Sequence, residues 1–184
     1  MTTRCKSLDN HEVPKQMESL SGGDLTHREE IITILECGAA RWNEFRRQHP
    51  DGFVLNGASL QGVQLARADL HSVILMDSDL QRANLAAAIL ESAVLRKTNL
   101  RDSDLRKANM NRADLFRANL AGADLREASL VSCFLKRADL SGADLSTARG
   151  LTDAQIADAL GDEQTRLPDG LNRPAAWATE VRPD

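Results

Sequence analysis

Four histidines, three cysteines and a recurrent aspartate are the residues of this chain best equipped for acid–base, nucleophilic or metal chemistry. His11, His27, His49 and His71 have no second His, Cys or carboxylate at a metal-ligand spacing, so no metal is expected. Paired aspartates can act as general acid and base. Here, however, they recur at one place, just before a Leu, and beside a turn their short side chains bond local backbone N–H groups. They read as structural. Cys133 takes the place of a small repeat residue and reads as a buried space-filler rather than a nucleophile. Cys5, Cys37 and Cys133 are an odd set without CxxC spacing, which argues against a disulfide framework and suits a reducing cytoplasm. GxSxG, Walker A and GxGxxG motifs are absent. The expectation is a protein without cofactor or catalytic site, not an enzyme.

The aspartates lead to the element that positions them. Leu occupies every fifth position from Leu55 to Leu145, 19 sites with Met110 as the one exception. Two residues before each stands a small residue, such as Ala58, Val63, Ala68 or Ser78, with Phe53 the one large departure. One residue before, Asp or Asn fills 11 of the 19 positions, as in Arg67-Ala68-Asp69-Leu70 and Arg117-Ala118-Asn119-Leu120. A period of five matches neither the 3.6 of a helix nor the 2.0 of a strand, so the chain must turn at every repeat. In extended backbone, residues two apart share a side. Each Leu and each small residue therefore point into a common axial core, and a larger residue in place of the small one would overpack it.

These tandem Ala-(Asp/Asn)-Leu-X-X units, from about Phe53 to Ala148, resemble the pentapeptide-repeat family. That resemblance implies an all-β solenoid, a right-handed quadrilateral β-helix with four pentads per 20-residue coil. Of the apolar residues just before a Leu, namely Val54, Ile74, Ile89, Val94 and Phe134, four are spaced by 20 or 40, which agrees with such a turn. At a strand spacing of about 4.8 Å, just under five coils make a prism about 23 Å long.

The flanks read as end caps, because a stack of coils otherwise exposes unpaired backbone edges. A capping box, Thr26 with Glu29, precedes Ile31, Ile34, Leu35, Gly38, Trp42 and Phe45 at helical spacing, predicting one amphipathic helix of roughly two dozen residues. Pro50, Asp51 and Gly52 end it. Thr152 with Gln155 makes a second box and predicts a short helix over about Asp153–Leu160, stopped by Gly161. The tail beyond is too proline-rich for a helix. Trp42 and Trp177 read as apolar plugs over the ends rather than ligand-stacking residues. The segments around Trp42 to Arg46 and from Gly150 to Trp177 resemble flanks of bacterial pentapeptide-repeat proteins. The organisation expected is a mobile arm over 1–24, a capping helix over 25–52, the β-helix over 53–149 and a short helix with proline-containing tail over 150–184.

With 23 basic and 27 acidic residues in 184, net charge −4, no global field favours nucleic acid or an anionic membrane. No apolar run reaches the length of a membrane span, and residues 1–10 lack the apolar stretch of a secretion signal. Function must then lie on the surface. Sorted by the 20-residue turn, one wall is both the most apolar and the most basic: Val54, Ile74, Met76, Val94, Phe116 and Phe134, with Arg96, Lys97, Arg117, Lys136 and Arg137. An apolar strip rimmed by charge marks a contact surface. Its occupant is the chain's own arm or tail, a second copy making a homodimer, or an unidentified protein partner of acidic character. The resemblance also implies a DNA-mimic modulator of DNA gyrase as an alternative. A mimic about 23 Å long needs on the order of 14 net negative charges. Residues 51–150 carry 13 basic and 12 acidic residues, a net +1, which disfavours it.

Overall fold

The computed structural model describes residues 25–177, with side chains from residue 28. The expected mobile arm over 1–24 and the Thr26 side chain of the first capping box lie outside the described residues.

From Phe53 onward the backbone repeats one unit. The residue before each Leu forms a parallel bridge to the residue 20 positions on, from Val54 with Ile74 through to Ser129 with Arg149. Each pentad is thus a quarter of a coil. The β-structure is only one bridged residue long per pentad, and no longer strand is present among the described residues. Every Leu position from 55 to 145, Met110 included, is buried, and so is every residue two before it.

Hydrogen bonding accounts for the sequence pattern. Around Leu95, the Val94 amide donates to Val73 O (3.0 Å), and the Leu95 and Lys97 amides donate to Asp114 O (2.8 Å) and Phe116 O (2.9 Å). The Thr98 amide closes the corner on Leu95 O at 3.2 Å. One amide per pentad is left over, that of the residue after Leu. In all eleven pentads with Asp or Asn before the Leu, Oδ1 accepts it at 3.0–3.2 Å. The recurrent aspartate is therefore a turn residue that completes the backbone's hydrogen bonding. Polar residues at inward positions are also satisfied: Ser78, Thr98 and Ser103 donate to Leu55 O, Leu75 O and Leu100 O at 3.1, 2.7 and 2.7 Å.

The second residue after each Leu position from 55 to 140 turns the corner at positive φ. Fourteen of these residues carry a side chain and hold φ between 55° and 64°. Ala87 is one, at 56°. A β-branched side chain is strongly disfavoured there, so Ala87→Val is expected to lose about 1–3 kcal/mol. Ala86→Val, one residue earlier and outside the left-handed region, should change stability by less than about 0.5 kcal/mol. Urea melts giving the two variants equal losses would contradict this account of the corner.

The expected N-terminal helix is two helices, α1 (Leu25–Glu36) and α2 (Ala39–Gln48). Gly38 breaks them: its φ is 95°, its amide caps Leu35 O at 2.9 Å, and an added Cβ would stand 3.2 Å from Gln64 O. The chain thereby folds back so that α2 lies against the first coil. Trp42, Phe45 and Arg46, at i, i+3 and i+4, are its buried face. Their rings join Phe53, with centroids 5.3–5.8 Å apart. Coil edge and helix are also hydrogen-bonded. The Ala39 amide donates to Gln64 O (3.1 Å), Asn43 bridges Arg67 O (2.9 Å) and the Asp69 amide (2.8 Å), Trp42 Nε1 donates to Asp69 O (2.6 Å), and Arg46 donates to His71 O (3.2 Å) and to Asp51 O.

At the other end Thr152 caps α3 (Asp153–Ile156) by accepting the Gln155 amide, whereas the Gln155 side chain accepts from the Thr152 hydroxyl rather than from its amide, so half of the expected box is present. Two expectations are corrected. The helix ends at Ile156 rather than near Leu160, and the β-pairing does not stop at 149: Leu160 bridges Asp139 and Arg166 bridges Asp144. Both bridges overshoot the regular register and so leave the pentad period, yet Thr165 still fills an inward position and donates to Leu140 O at 2.9 Å. Gly161 is no helix stop. It lies under the Trp177 ring, where a Cβ would come within 2.5 Å of the indole. The tail also holds a short 3-10 helix, Ala175–Trp177, which seats the buried Trp177 with Nε1 on Ala159 O at 3.0 Å.

A candidate protein-interaction wall

The corner geometry arranges the outward residues of each wall in three columns. On the wall singled out by sequence, the residues before Leu are Val54, Ile74, Val94, Asp114 and Phe134, those after it Asn56, Met76, Arg96, Phe116 and Lys136, and those at positive φ Gly57, Asp77, Lys97, Arg117 and Arg137. The bridges of the first column and the hydrogen bonds of the third stack them coil upon coil. All eleven sequence-predicted residues thus lie on one wall.

Their exposure is uneven. Val54 is 59% and Phe134 45% exposed, whereas Ile74, Met76, Val94 and Phe116 are half-buried against neighbouring coils. Phe116 and Phe134 stack at 6.2 Å, and the Arg96 and Arg117 guanidinium groups each lie over the Phe116 ring at 5.2 Å. The described part of the tail folds over the end of the solenoid through Trp177 and leaves Val54 and Phe134 open.

The wall is less basic than expected. Arg96 pairs with Asp114 (2.9 Å), Lys97 with Asp77 (3.7 Å) and Lys136 with Asp158 (3.5 Å). Two of those acids stand on the wall itself and the third just beyond α3. Among the described residues, Arg117 and Arg137 alone of its five cations have no acidic partner.

Sequence reasoning missed a second feature, a charge ladder two walls away. Asp104, Asp124 and Asp144 stack at 20-residue spacing. Arg106 and Arg126 each grip the Asp two residues earlier with two bonds of 2.6–2.9 Å, and Arg166 reaches Asp144 at 3.5 Å. The signal was present in the shared Asp-Leu-Arg of two successive coils. Side-chain hydrogen bonds from Arg106 and Arg126 hold the Asp104 and Asp124 carboxyls below the usual carboxylate range. A folded-state value below the unfolded one gives stability that is present above the unfolded value and lost as pH falls through the folded one. Thermal midpoints should therefore be flat from neutrality to about pH 5 and fall below about pH 4. An R106Q/R126Q double variant should show a shallower fall, and an identical profile would sink this reading.

The remaining candidates for chemistry are occupied structurally. Burial pushes the Cys133 thiol up to about 12, as suits a space-filler. Cys37 is disulfide-bonded, against the expectation that the odd cysteine set holds no disulfide, and the cysteines therefore do not indicate a reducing compartment. His49 stacks on Phe45 at 4.4 Å and His71 is exposed, while the His11 and His27 side chains lie outside the described residues. No cluster among the described residues could hold a metal, and no described helix is long and apolar enough to cross a membrane.

Comparison with known proteins agrees with the coil geometry. The family model for pentapeptide repeats matches eight copies over residues 51–82, 78–115 and 118–149. No curated protein matches the chain. Among solved structures it is similar to the pentapeptide repeat protein Rfr23 of the cyanobacterium Cyanothece 51142, with 27% identity over 68% of this chain and 97% of that one and a TM-score of 0.50. A pentapeptide repeat protein of the Arabidopsis thaliana thylakoid lumen shares 27% identity over 62% of this chain and 83% of its own, with a TM-score of 0.55. With repeats matched over more than half its length and a bridge every five residues at 20-residue register, this chain belongs to the pentapeptide repeat family, whose members form right-handed β-helices.

Proposed function

We infer that this protein is a non-catalytic interaction scaffold: a rigid prism of just under five repeat coils, covered at both ends by its helical flanks, that presents one wall to a protein partner. The observation that carries this reading is the apolar strip, exposed at Val54 and Phe134 and ending in the stacked Phe116–Phe134 pair. A patch of this kind on a monomer is commonly functional. Rigidity supports the role, since each pentad from Leu55 to Leu120 is tied to the next coil by three backbone bonds and a pre-organised surface loses little entropy on binding.

The gyrase-directed alternative has less behind it. A duplex mimic needs unneutralised acidic rows, and the acidic row here is gripped by Arg106, Arg126 and Arg166. Absence of supercoiling inhibition at micromolar protein would remove it.

A photo-crosslinking amino acid placed at Met76, on the wall, and at Ala86, two walls away, tests the scaffold reading in cells that make the protein. A discrete adduct from position 76 that is absent from 86 and lost in Phe134→Glu is the expected result. No adduct from 76, or the same adducts from both positions, would overturn it.

A further inference from the structure

The wall's apolar residues have a backbone cost that indicates what it binds. In eleven pentads the amide after Leu is accepted by the Asp or Asn before it. Where an apolar residue or Ser stands instead, that acceptor is gone. Two such amides are rescued by an Asn one coil below: Met76 N–H donates to Asn56 Oδ1 and Val131 N–H to Asn111 Oδ1, both at 3.0 Å. After Val94 and Phe134 there is no rescue. Among the described residues, the amides of Arg96 and Lys136 have no acceptor, and both residues are exposed. In the second to fifth coils the amide after Ile89 is also unaccepted, but it belongs to Glu91, which carries its own carboxylate.

Arg96 and Lys136 lie two coils apart, about 9.6 Å at a strand spacing of about 4.8 Å. Between and beside them rise Arg117 and Arg137, stacked in one column through the Arg117 N–H···O Lys136 bond (3.2 Å) and without acidic partners. Most other cations of the second to fifth coils are paired. The half-wall from Val94 to Arg137 therefore offers two backbone donors without acceptors, two guanidinium groups without acidic partners, one of them resting on Phe116, and an apolar floor.

We propose that this half-wall binds an extended acidic segment of a partner protein, whose carboxylates accept from the Arg96 and Lys136 amides in the place of the missing Asp or Asn and pair with Arg117 and Arg137. This rests on the scaffold reading and specifies its partner. Carboxylate bonds to backbone N–H and to guanidinium groups are charge-assisted and strong. A segment in polyproline II conformation repeats every third residue, about 9.3 Å, close to the spacing of the two amides. A single-stranded nucleic acid fits less well, because base stacking needs a free aromatic face and Phe116 already has two guanidinium groups and Phe134 against it. A second copy fits less well too. The wall is about 10 Å by 23 Å, on the order of 230 Å², against about 800 Å² per partner in a standard interface, and a two-fold would bring the same unpaired arginines together.

The test uses the full chain and a fluorescein-labelled peptide, Asp-Pro-Val three times followed by Asp, titrated by anisotropy at low salt. Saturable binding is expected, with half-saturation raised at least tenfold in an Arg117→Glu/Arg137→Glu double variant. Val94→Asn restores the acceptor for the Arg96 amide without adding charge and suits the repeat, so it should fold normally and weaken binding at least threefold. The same peptide with Lys for Asp, and a twenty-nucleotide oligothymidylate, should not saturate. No binding of the acidic peptide, binding unchanged by Val94→Asn and by the arginine double variant, or equal binding of oligothymidylate would each overturn the proposal. An adduct from position 76 that persists in these variants would overturn it while leaving the scaffold reading intact. Peptide binding with the expected variant pattern but no adduct would do the reverse.

Discussion

Leu95→Ala is expected to destabilise the protein by about 2–5 kcal/mol. The cost of such a truncation depends on how far the surroundings can collapse, and here they can collapse little. Leu95 is buried between Leu75 and Leu115 of the adjoining coils, and its pentad is fixed from below by Val94 N–H on Val73 O and from above by Asp114 O and Phe116 O. Moving the wall inward to fill the hole would break those bonds. The loss should therefore lie toward the upper end of the range, with an unchanged dependence on denaturant if the native coil persists. Lys97→Ala, in the same pentad but outward, should shift stability by less than about 0.5 kcal/mol, since its pair with Asp77 is half exposed. Urea melts giving Leu95→Ala the midpoint of the wild type would show that the Leu column is not the core.

Trp42→Ala should have a comparable effect, about 3–5 kcal/mol, and a second consequence that no interior truncation shares. Trp42 is fully buried, packs on Phe45 and Phe53, and donates Nε1 to Asp69 O at 2.6 Å. That carbonyl belongs to the first coil, which has α2 rather than another coil before it. Removing the indole leaves an acceptor on an open edge, which is a template for pairing with another chain. The expected result is a lowered urea midpoint together with concentration-dependent association in light scattering, the latter absent from Leu95→Ala at equal stability. A variant that is destabilised yet strictly monomeric would show that α2 covers the edge without Trp42.

The pentad pattern was legible because each of its positions answers one physical demand. Leu and Ala answer to the core, Asp and Asn to the amide left over at the corner, and the 20-residue sorting that follows places all eleven wall residues together. The break at Gly38 was hidden because Leu35 and Trp42 are seven apart, two helical turns, so one helix and two satisfy the same spacing. Only the approach of Gly38 to Gln64 O decides between them. The continuation through Leu160 and Arg166 was hidden for the opposite reason: its bridges, to Asp139 and Asp144, overshoot the regular register by different amounts, and a period that slips leaves no period to see. The neutralisation of the wall was half visible, since Asp77 and Lys97 are 20 apart, whereas Asp158 reaches Lys136 only through the helical detour of α3.

A bridge to the twentieth residue on, with a corner at every fifth, also makes surface position a matter of phase. Deletion of one whole coil, 93–112 for instance, would shorten the prism and leave every other side chain on its own wall. Deletion of a single pentad, 98–102 for instance, would leave each Leu inward and each corner intact, yet rotate everything beyond it by a quarter turn, carrying Phe116 and Phe134 away from Val54 and Ile74. The fold would hardly register the difference; the surface would be a new one. In such a chain a single-pentad insertion or deletion works as a dial, turning one half of the recognition surface against the other without touching the core.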